Sequence, residues 1–528
     1  MEFPSLPYPF VRKTVPSLLT IVAGAAVGVT AALLLGNVDL KWIILGIGGT
    51  LLLLPTLVVR NPRLFLLGIL VCSLPFEISK NLFKETVDPH AIFEQLGMTP
   101  SKAISLAVYS TDLIFASLVM VWLFGVATKR FPLHVPKLAY LFAIWLAWIS
   151  IWAVFAPYPL LSALELVRQY RYLIILVFLA NVLDSRHTIR VLLGLLLLTL
   201  AFEAVVSLAR YQLNSWDPLF GSTFGEFDLG MRKYELRAGV GVGDRLRSTG
   251  TFDHPSAASM YMELIIPVVI ALWIATKSRG AKWLLFGLFV LAVAGVVVTY
   301  SRTGLVALLL GGGVTMLLCW YRGFLSRRVF GLAMAAGVLA LVAASPPIYK
   351  YLNTRPDAFV YRFFLLDQGL EMIQAHPIRG VGLANSTAVK RQLASKRVYK
   401  ADDVTSIHFH HIAIMAETGV VGYGLFLAFF LMVVVMAVRQ SRTRDPDIAA
   451  VSLGIAGAYV TILVHMFGDN LAGNSHHVLL LIYAAMVVAM ARLPSLESEV
   501  REHQADAGLG RPRAPAFGEG VSPVRLSS

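Results

Sequence analysis

The stretch IAIMAETGVVGYGLFLAFFLMVVVMAV (residues 412–438) decides the fold class of this chain. It is longer than the roughly 20 apolar residues that a helix needs to cross the hydrocarbon core of a bilayer. Glu417 is its only charged residue. Comparable apolar segments follow one another from near residue 15 to residue 493. This repetition predicts an all-α, polytopic membrane protein.

The composition supports a membrane protein and argues against a soluble one. Of the 528 residues, 57% are hydrophobic and only 14% are charged, whereas soluble domains carry about 25% charged residues. The net charge of +14 comes from basic residues spread over short loops, a pattern typical of membrane topology and not of nucleic-acid binding. Cys72 and Cys319 lie inside apolar segments, so no disulfide framework is predicted.

Apolar length predicts about 14 (12–14) transmembrane helices. The segments lie near 15–36, 42–59, 64–79, 106–127, 137–156, 160–183, 189–209, 257–276, 282–300, 303–321, 329–345, 412–438, 448–468 and 476–493. Basic residues mark alternate loops, from Arg12-Lys13 to Arg439, Arg442 and Arg444. Because cytoplasmic loops carry the excess of Lys and Arg, both termini are predicted to be cytoplasmic.

This topology divides the chain into five parts. A cytoplasmic N-terminus (1–14) precedes a helical domain (15–345) with outer loops near 80–105 and 210–256; then come a large outer loop (346–411), the C-terminal transmembrane helices (412–493) and a cytoplasmic tail (494–528). Within the large loop, helical spacing of apolar residues predicts an amphipathic helix over 361–375. The tail is rich in Pro, Gly, Arg and Glu, which predicts disorder.

Several arginines are predicted at the outer face of the membrane. Arg302, in VTYSRTGLVALLL, stands between two apolar segments, and Arg245 and Arg247 end the second outer loop. A guanidinium at membrane depth costs about 2.5–3.5 kcal/mol on insertion scales, so it either faces a polar cavity or anion or extends to the headgroups. Planar guanidinium groups suit phosphate oxygens and can neutralise a diphosphate without a metal. These residues therefore predict a substrate with an anionic head.

Arg168 is a further candidate for this group, with a structural alternative. It lies with Arg171 in LELVRQYRYLI, in the outer half of a predicted helix. Glu165 precedes Arg168 by three residues and can pair with it on the same helix face. Arg168 is thus interpreted either as a phosphate ligand or as half of an intrahelical ion pair.

Three histidines, His408, His410 and His411, stand just before the 412–438 segment. A zinc site needs three or four ligands, and no fourth Cys, Asp or Glu has a suitable spacing here. A neutral imidazole can instead take a proton from a sugar hydroxyl, because its ordinary pKa of about 6.5 lies near neutrality. The alternative interpretation is a set of loop histidines near the headgroups.

Four motifs in this order resemble those of the O-antigen ligase and polymerase superfamily. His408 followed by Gly419-Val-Val-Gly422 is similar to its His-[Asn/Ser/Gln]-x9-Gly-x-x-Gly signature, and HPIRGVGLANS (376–386) to its His-Pro-x-x-Gly-Val-Gly segment. RSTGTFDHPSAA (247–258) resembles its Arg-x-x-Gly-x-Phe-x-x-Pro element, and SRTG (301–304) its Ser-Arg-Gly-like helix start. The resemblance covers about 245–425. Phe409 departs from the signature, and His254 and Ser256 stand where members often have Asn.

The resemblance implies a GT-C-like, metal-independent inverting glycosyltransferase of the bacterial inner membrane, with its active site facing the periplasm and no cofactor. Its donor would be an undecaprenyl-diphosphate-linked glycan, as in lipopolysaccharide or exopolysaccharide biosynthesis. By this carry-over Arg247 and Arg302 hold the diphosphate, and His408 activates the acceptor hydroxyl. Arg168 is a further candidate for the diphosphate from its position in the sequence alone. Arg245, His410 and His411 are candidates for supporting roles.

Two questions stay open at this stage. The acceptor can be lipid A–core, another lipid-linked glycan or a protein hydroxyl, which separates a ligase from a polymerase. A transporter or flippase for a lipid-linked or anionic amphipathic substrate would also use outer arginines, although paired half-repeats with broken helices are expected there and none is evident. A metal-dependent alternative would draw on Glu77, Asp88 and Glu94.

Overall fold

The structure is a computed structural model that describes residues 61–76, 79–82, 106–127, 133–214, 241–242, 245–252, 254–337, 339, 356–393, 407–471 and 473–506. The predicted segments near 15–36 and 42–59 lie outside these residues. So do Glu77, Asp88 and Glu94, most of the predicted outer loops, and the side chain of Arg245.

The described residues form helices and two small strand pairs. The helices are α1 (Pro62–Ser73), α2 (Ser110–Ala127), α3 (Lys137–Ala153), α4 (Pro159–Val182), α5 (Arg186–Leu213), α6 (Pro255–Ala275), α7 (Arg279–Val298), α8 (Arg302–Tyr321), α9 (Pro356–Ala375), α10 (Ser386–Leu393), α11 (His410–Gln440), α12 (Pro446–His465) and α13 (Asn474–Asp506). Residues 327–337 are also helical. The strands β1 (Ser79–Leu82) and β2 (Leu106–Tyr109), and β3 (Gly241–Val242) and β4 (Arg245–Leu246), form two antiparallel pairs.

Seven helices of the described part are long and apolar enough to cross a membrane: α5, α6, α7, α8, α11, α12 and the Asn474–Leu493 portion of α13. Each predicted segment from 64–79 onward contains a helix of the structure, and α9 contains the predicted amphipathic helix. The chain is therefore a multi-pass helical membrane protein, while the total of about 14 spans stays a prediction. Helix α13 continues through Asp506, beyond position 494, where the tail was expected to begin.

The core lies where α6 and α12 cross at close range. Most residues in the apolar stretches of α6 and α12 (78% each) and of α13 (83%) are buried inside the protein. Glycines allow the contact: a Cβ added at Gly454 of α12 would lie 2.5 Å from Cα of Val268 in α6. Small residues at such crossings let membrane helices approach closely. The other helices surround this centre, and the candidate site lies at the ends of several helices.

Candidate active site

Arg247 and Arg302 lie at one turn of the chain. Nε of Arg247 donates to the carbonyl oxygen of Thr299 (2.8 Å), and the next amide, of Ser248, donates to Val298 (3.0 Å). These contacts hold the segment that begins at Arg247 against the turn between α7 and α8. Arg302 follows that turn as the first residue of α8. We call Arg247, Arg302 and the turn 299–301 the arginine corner.

The start of α8 has a built-in anchor. The side chain of Ser301 caps the helix by accepting from the amide of Gly304 (3.2 Å), which satisfies one of the free N–H groups of the first turn. Gly304 lies so close to Glu263 and Ser259 of α6 that a Cβ would overlap both. The SRTG motif thus seats the helix start, and Arg302 with it, directly on α6.

The arginine corner is joined to the loop after α12. A Cβ added at Gly468 would lie 2.5 Å from Oγ1 of Thr303, so the loop and the first turn of α8 are in close contact. Arg362 of α9 donates to the carbonyl oxygen of Gly468 (3.3 Å). The loop thereby brings the arginine corner, α9 and the start of α11 together.

Asp469, the next residue of this loop, faces His408. Nδ1 of His408 lies 3.9 Å from Oδ1 of Asp469, and the His408 side chain is 29% exposed. Burial alone would raise the pKa of Asp469, but the charges of His254, His465 and His408 and a hydrogen bond from Ser256 hold it below its ordinary value. Asp469 is therefore a stable carboxylate beside an accessible imidazole.

The other two histidines of the cluster have different surroundings. His411 is buried, and its ring nitrogens contact the carbonyl oxygen of Leu463 (2.8 Å) and the hydroxyl of Tyr423 (3.1 Å). The amide of His410 donates to Met466 (3.0 Å), and its ring meets Phe426 edge-on at 6.0 Å. Both residues hold α11 against its neighbours, so His408 is the member of the cluster that faces Asp469.

Arg168 lies apart from the arginine corner. Its guanidinium pairs with Glu165 at 2.6 Å, as the intrahelical alternative predicts. Arg171 is likewise held within the bundle, by Asp112 (2.5 Å) and Asn474 (2.8 Å). The loop with Gly468 and Asp469 thus contacts both the first turn of α8, which begins at Arg302, and His408, whereas Arg168 is in an ion pair on α4.

The HPIRGVGLANS segment docks on a break in α11. The amides of Val381 and Gly382 donate to the carbonyl oxygens of Ala416 (2.9 Å) and Glu417 (3.0 Å). At the break, Gly419 has φ 71° and ψ 176°, a conformation that is almost confined to glycine.

Side chains complete this docking. The Glu417 carboxylate accepts from the amide of Ala384 (2.9 Å) and the hydroxyl of Ser386 (2.6 Å). The side-chain oxygen of Asn385 accepts from the amide of Tyr158 (2.8 Å), just before α4. The two motifs are therefore one structural unit, which fixes the start of α11 and His408 with it.

The departures from the family motifs have structural explanations. His254 occupies the N-cap of α6, where Nδ1 accepts from the amide of Ser256 (3.2 Å), the role that Asn commonly takes at that position. Phe409 makes no capping hydrogen bond and packs instead against an apolar cluster that includes Met372 and Ile407. Position 409 thus contributes packing beside His408.

Sequence reasoning missed Asp469, Arg362 and the buried pair of Glu263 and His465. Nδ1 of His465 lies 2.8 Å from the Glu263 carboxylate, and both side chains are fully buried. The sequence feature that could have indicated Asp469 is GDN (468–470), which places an acidic residue in a short loop between two apolar segments. The Glu263–His465 pair joins residues about 200 positions apart in the chain, and neither local sequence indicates the partner.

The acidic motif DPD (445–447) serves as a helix cap. Oδ1 of Asp445 accepts from the amides of Asp447 (2.9 Å) and Ile448 (3.2 Å), and its carboxylate pairs with Arg186. Among the described residues, no group of three or more His, Cys, Asp or Glu is arranged to hold a metal ion.

With this geometry established, the chain was compared with known proteins. Residues 287–427 match the family described as O-antigen ligase. This match, over about a quarter of the chain, supports the resemblance to the O-antigen ligase and polymerase superfamily. No curated protein matches it.

The match to the O-antigen ligase family supports ligase- or polymerase-type glycosyl transfer, which uses a lipid-linked glycan and an acceptor. The matched segment includes Arg302, the docked 376–386 segment and His408. Arg247 and Asp469 lie outside it. The tertiary structure adds them to the site, one from before and one from after the matched segment.

Proposed function

We propose that this chain is an inverting glycosyltransferase, facing the periplasm, that moves a glycan from undecaprenyl diphosphate to an acceptor hydroxyl. It would act as an O-antigen ligase or a polysaccharide polymerase in the inner membrane, with both termini cytoplasmic. One observation carries the proposal. His408 lies 3.9 Å from Asp469, and the preceding residue Gly468 contacts Thr303 in the first turn of α8, next to Arg302. A base and a cluster of cations are the two groups that a direct displacement at a glycosyl diphosphate needs.

The chemistry is a single displacement. The acceptor oxygen attacks the anomeric carbon while the carbon–oxygen bond to the diphosphate breaks, and the diphosphate leaves with the electron pair. His408 takes the hydroxyl proton, a contribution of about 10²–10⁴ in rate for general base catalysis. Arg247 and Arg302 stabilise the charge that develops on the leaving group.

Asp469 would act through His408. A carboxylate beside an imidazole orients the ring and stabilises its protonated form after the proton is taken. The low pKa of Asp469 keeps this charge present at neutral pH. Asp469 is therefore a positioning residue in the proposal, and His408 is the catalytic base.

A reconstituted transfer assay tests the function. The full-length protein in vesicles receives an undecaprenyl-diphosphate-linked glycan, with lipid A–core and a second lipid-linked glycan as separate acceptors, in EDTA. The wild type is expected to form a new glycosidic bond with one acceptor, and His408→Ala to lose at least about 99% of the rate, because the base supplies 10²–10⁴. His187→Ala is the matched control, since this exposed histidine lies at the start of α5 and not beside Asp469.

The results separate the candidate functions. Transfer that survives EDTA and depends on His408 supports the proposal, and the productive acceptor distinguishes a ligase from a polymerase. Transfer that requires added divalent metal would refute metal independence. If the folded wild type forms no bond but moves the lipid-linked glycan across the vesicle membrane, with or without His408, the transporter is correct.

A further inference from the structure

A second feature lies beside the candidate active site: a cavity of about 300 Å³ between α3, α4, α11 and α13. We call it the aromatic cavity. Ile407, His410 and Asn470, which line it, are near neighbours in the chain of His408 and Asp469. Arg247, Arg302, His408 and Asp469 are not themselves among its lining residues. The cavity therefore lies next to the segments that carry His408 and Asp469, and the arginine corner does not border it.

One end of the aromatic cavity is apolar. Its walls there are Phe142 and Trp145 of α3, Phe429 and Phe430 of α11, and Leu481 of α13. Phe429 and Phe430 lie beyond the break in α11, far along the helix from His408. Such a surface suits a hydrocarbon chain or the apolar face of a sugar ring.

The other end of the aromatic cavity is polar and carries no positive side chain. Glu165, Gln169, Ser386, Glu417 and Asn470 line it. Within the described part of the chain, no arginine or lysine lines the cavity. A phosphate placed here would face Glu417 and the Glu165–Arg168 ion pair, with no arginine or lysine in the described cavity lining to bind it, an arrangement that selects against it. Sugar hydroxyls, in contrast, can donate to carboxylates and bond to amides.

We propose that the aromatic cavity is the acceptor subsite, and that it takes an uncharged, hydroxyl-bearing sugar joined to an apolar chain. Its volume is at the lower end of the range of about 300–1,000 Å³ for small-molecule sites, enough for one sugar ring and the start of the chain. This rests on the proposed function, since the acceptor hydroxyl must reach His408. The two substrates are thereby separated by charge: the anionic diphosphate donor binds at the arginine corner, and the neutral acceptor binds in the aromatic cavity.

Binding measurements test the assignment without requiring turnover. The full-length protein in nanodiscs is titrated with decyl glucoside, decyl phosphate and a dansyl-labelled polyprenyl diphosphate, each corrected against empty nanodiscs. Ala413→Phe fills the cavity from α11, and Leu431→Phe adds the same ring on the exposed side of that helix as the control. Arg302→Ala removes a cation from the arginine corner.

We expect decyl glucoside to bind wild type at least tenfold more tightly than decyl phosphate. Ala413→Phe should weaken glucoside binding at least tenfold and leave diphosphate binding unchanged, whereas Arg302→Ala should do the reverse. Leu431→Phe should alter neither. If Ala413→Phe fails to fold, Leu481→Trp fills the cavity from the opposite wall and is expected to give the same result.

Two outcomes would overturn the assignment: decyl phosphate binding as tightly as the glucoside and displaced by the cavity-filling substitution, or glucoside binding that both cavity-filling variants leave unchanged. Failure of the proposed function has a different signature. In that case glucoside binding depends on the cavity as expected, but wild type transfers no glycan to any acceptor, and the cavity is then a neutral glycolipid site without an acceptor role.

Discussion

Asp469 illustrates how one residue depends on side chains from several helices. His254 at the start of α6, His465 at the end of α12 and His408 before α11 all act on its carboxyl group. Their combined charge outweighs the effect of burial. In the proposed mechanism this carboxylate is thus held ionised by His465, four residues away in the chain, and by His254 and His408, which are distant in sequence.

Substitution of Asp469 by Asn tests the positioning role. The amide keeps the shape and removes the charge, so we expect the rate of transfer to fall about 10- to 100-fold, part of the 10²–10⁴ that proton transfer supplies, with little change in the donor KM. The acid limb of the pH–rate profile should also move, because His408 loses a neighbouring negative charge that favours its protonated form. An unchanged profile would assign Asp469 a structural role only.

The same residue has a predicted effect on stability. Because the pKa of Asp469 is lowered in the folded protein, its charged form stabilises the fold above the ordinary value of about 3.9, and this contribution is lost as the pH falls through the lowered value. The difference in unfolding free energy between wild type and Asp469→Asn should therefore shrink as the pH falls from the ordinary value of about 3.9 through the lowered pKa of Asp469. SDS-unfolding curves below that ordinary value measure it, and a difference that grows as the pH falls in this range would contradict the assignment.

Arg302 allows a test of geometry against charge. Arg302→Ala should abolish transfer without loss of folded protein, since the Ser301 cap and the contact of Gly304 with α6 remain. Arg302→Lys should stay at least tenfold impaired, because an ammonium cannot make the two parallel bonds of a guanidinium to phosphate. Initial rates at saturating donor check this. Full rescue by lysine would show that a point charge is sufficient.

At the scale of elements, the break in α11 is the feature that places His408. A Cβ at Gly419 would overlap the carbonyl oxygen of Ile378, and its φ of 71° disfavours a side chain. The docked 376–386 segment occupies the space that the break opens. This contact explains in physical terms why a motif of glycines lies some ten residues after the histidine.

Gly419→Ala tests the break. We expect it to destabilise the protein by about 3 kcal/mol or more, because backbone strain of about 1–3 kcal/mol is added to the overlap. The matched control is Gly424→Ala in the same helix, where no neighbouring atom lies within 4 Å of the added Cβ; there alanine should be neutral or stabilise by about 0.5–1 kcal/mol. SDS-unfolding free energies measure both. Equal values for the two variants would remove the break as a determinant of the fold.

At the scale of the whole molecule, Glu263 and His465 join the two most central helices. Both side chains are fully buried, and Ser259 adds a short hydrogen bond to the Glu263 carboxylate. The pair lies beneath the loop that carries Asp469. It therefore couples the packing of α6 on α12 to the position of the candidate site.

A double-mutant cycle measures this coupling. Glu263→Ala leaves His465 buried without its partner, so we expect a loss of about 3–5 kcal/mol in unfolding free energy. His465→Ala should cost a similar amount, and the double variant much less than the sum. Ser452→Ala, also buried on α12 but bonded within its own helix, is the control. Additive losses would show that the two residues act independently.

The sequence by itself determined the membrane class, the helix segments from residue 64 onward and the family motifs. Apolar length and turn residues act within a segment, so their effect is readable locally. His408 and Arg302 were found in this way because each stands in a motif at the end of such a segment.

Only the tertiary structure decided which of these residues meet. Asp469 lies beside His408 and follows the glycine that packs on the start of α8, whereas Arg168 pairs with Glu165 on its own helix. The aromatic cavity is formed by four helices that no local pattern pairs with one another. Helix packing in a membrane depends on complementary shape between segments that are distant in the chain. The residues that form such a contact lie on different helices, so the sequence around each one does not identify its partner.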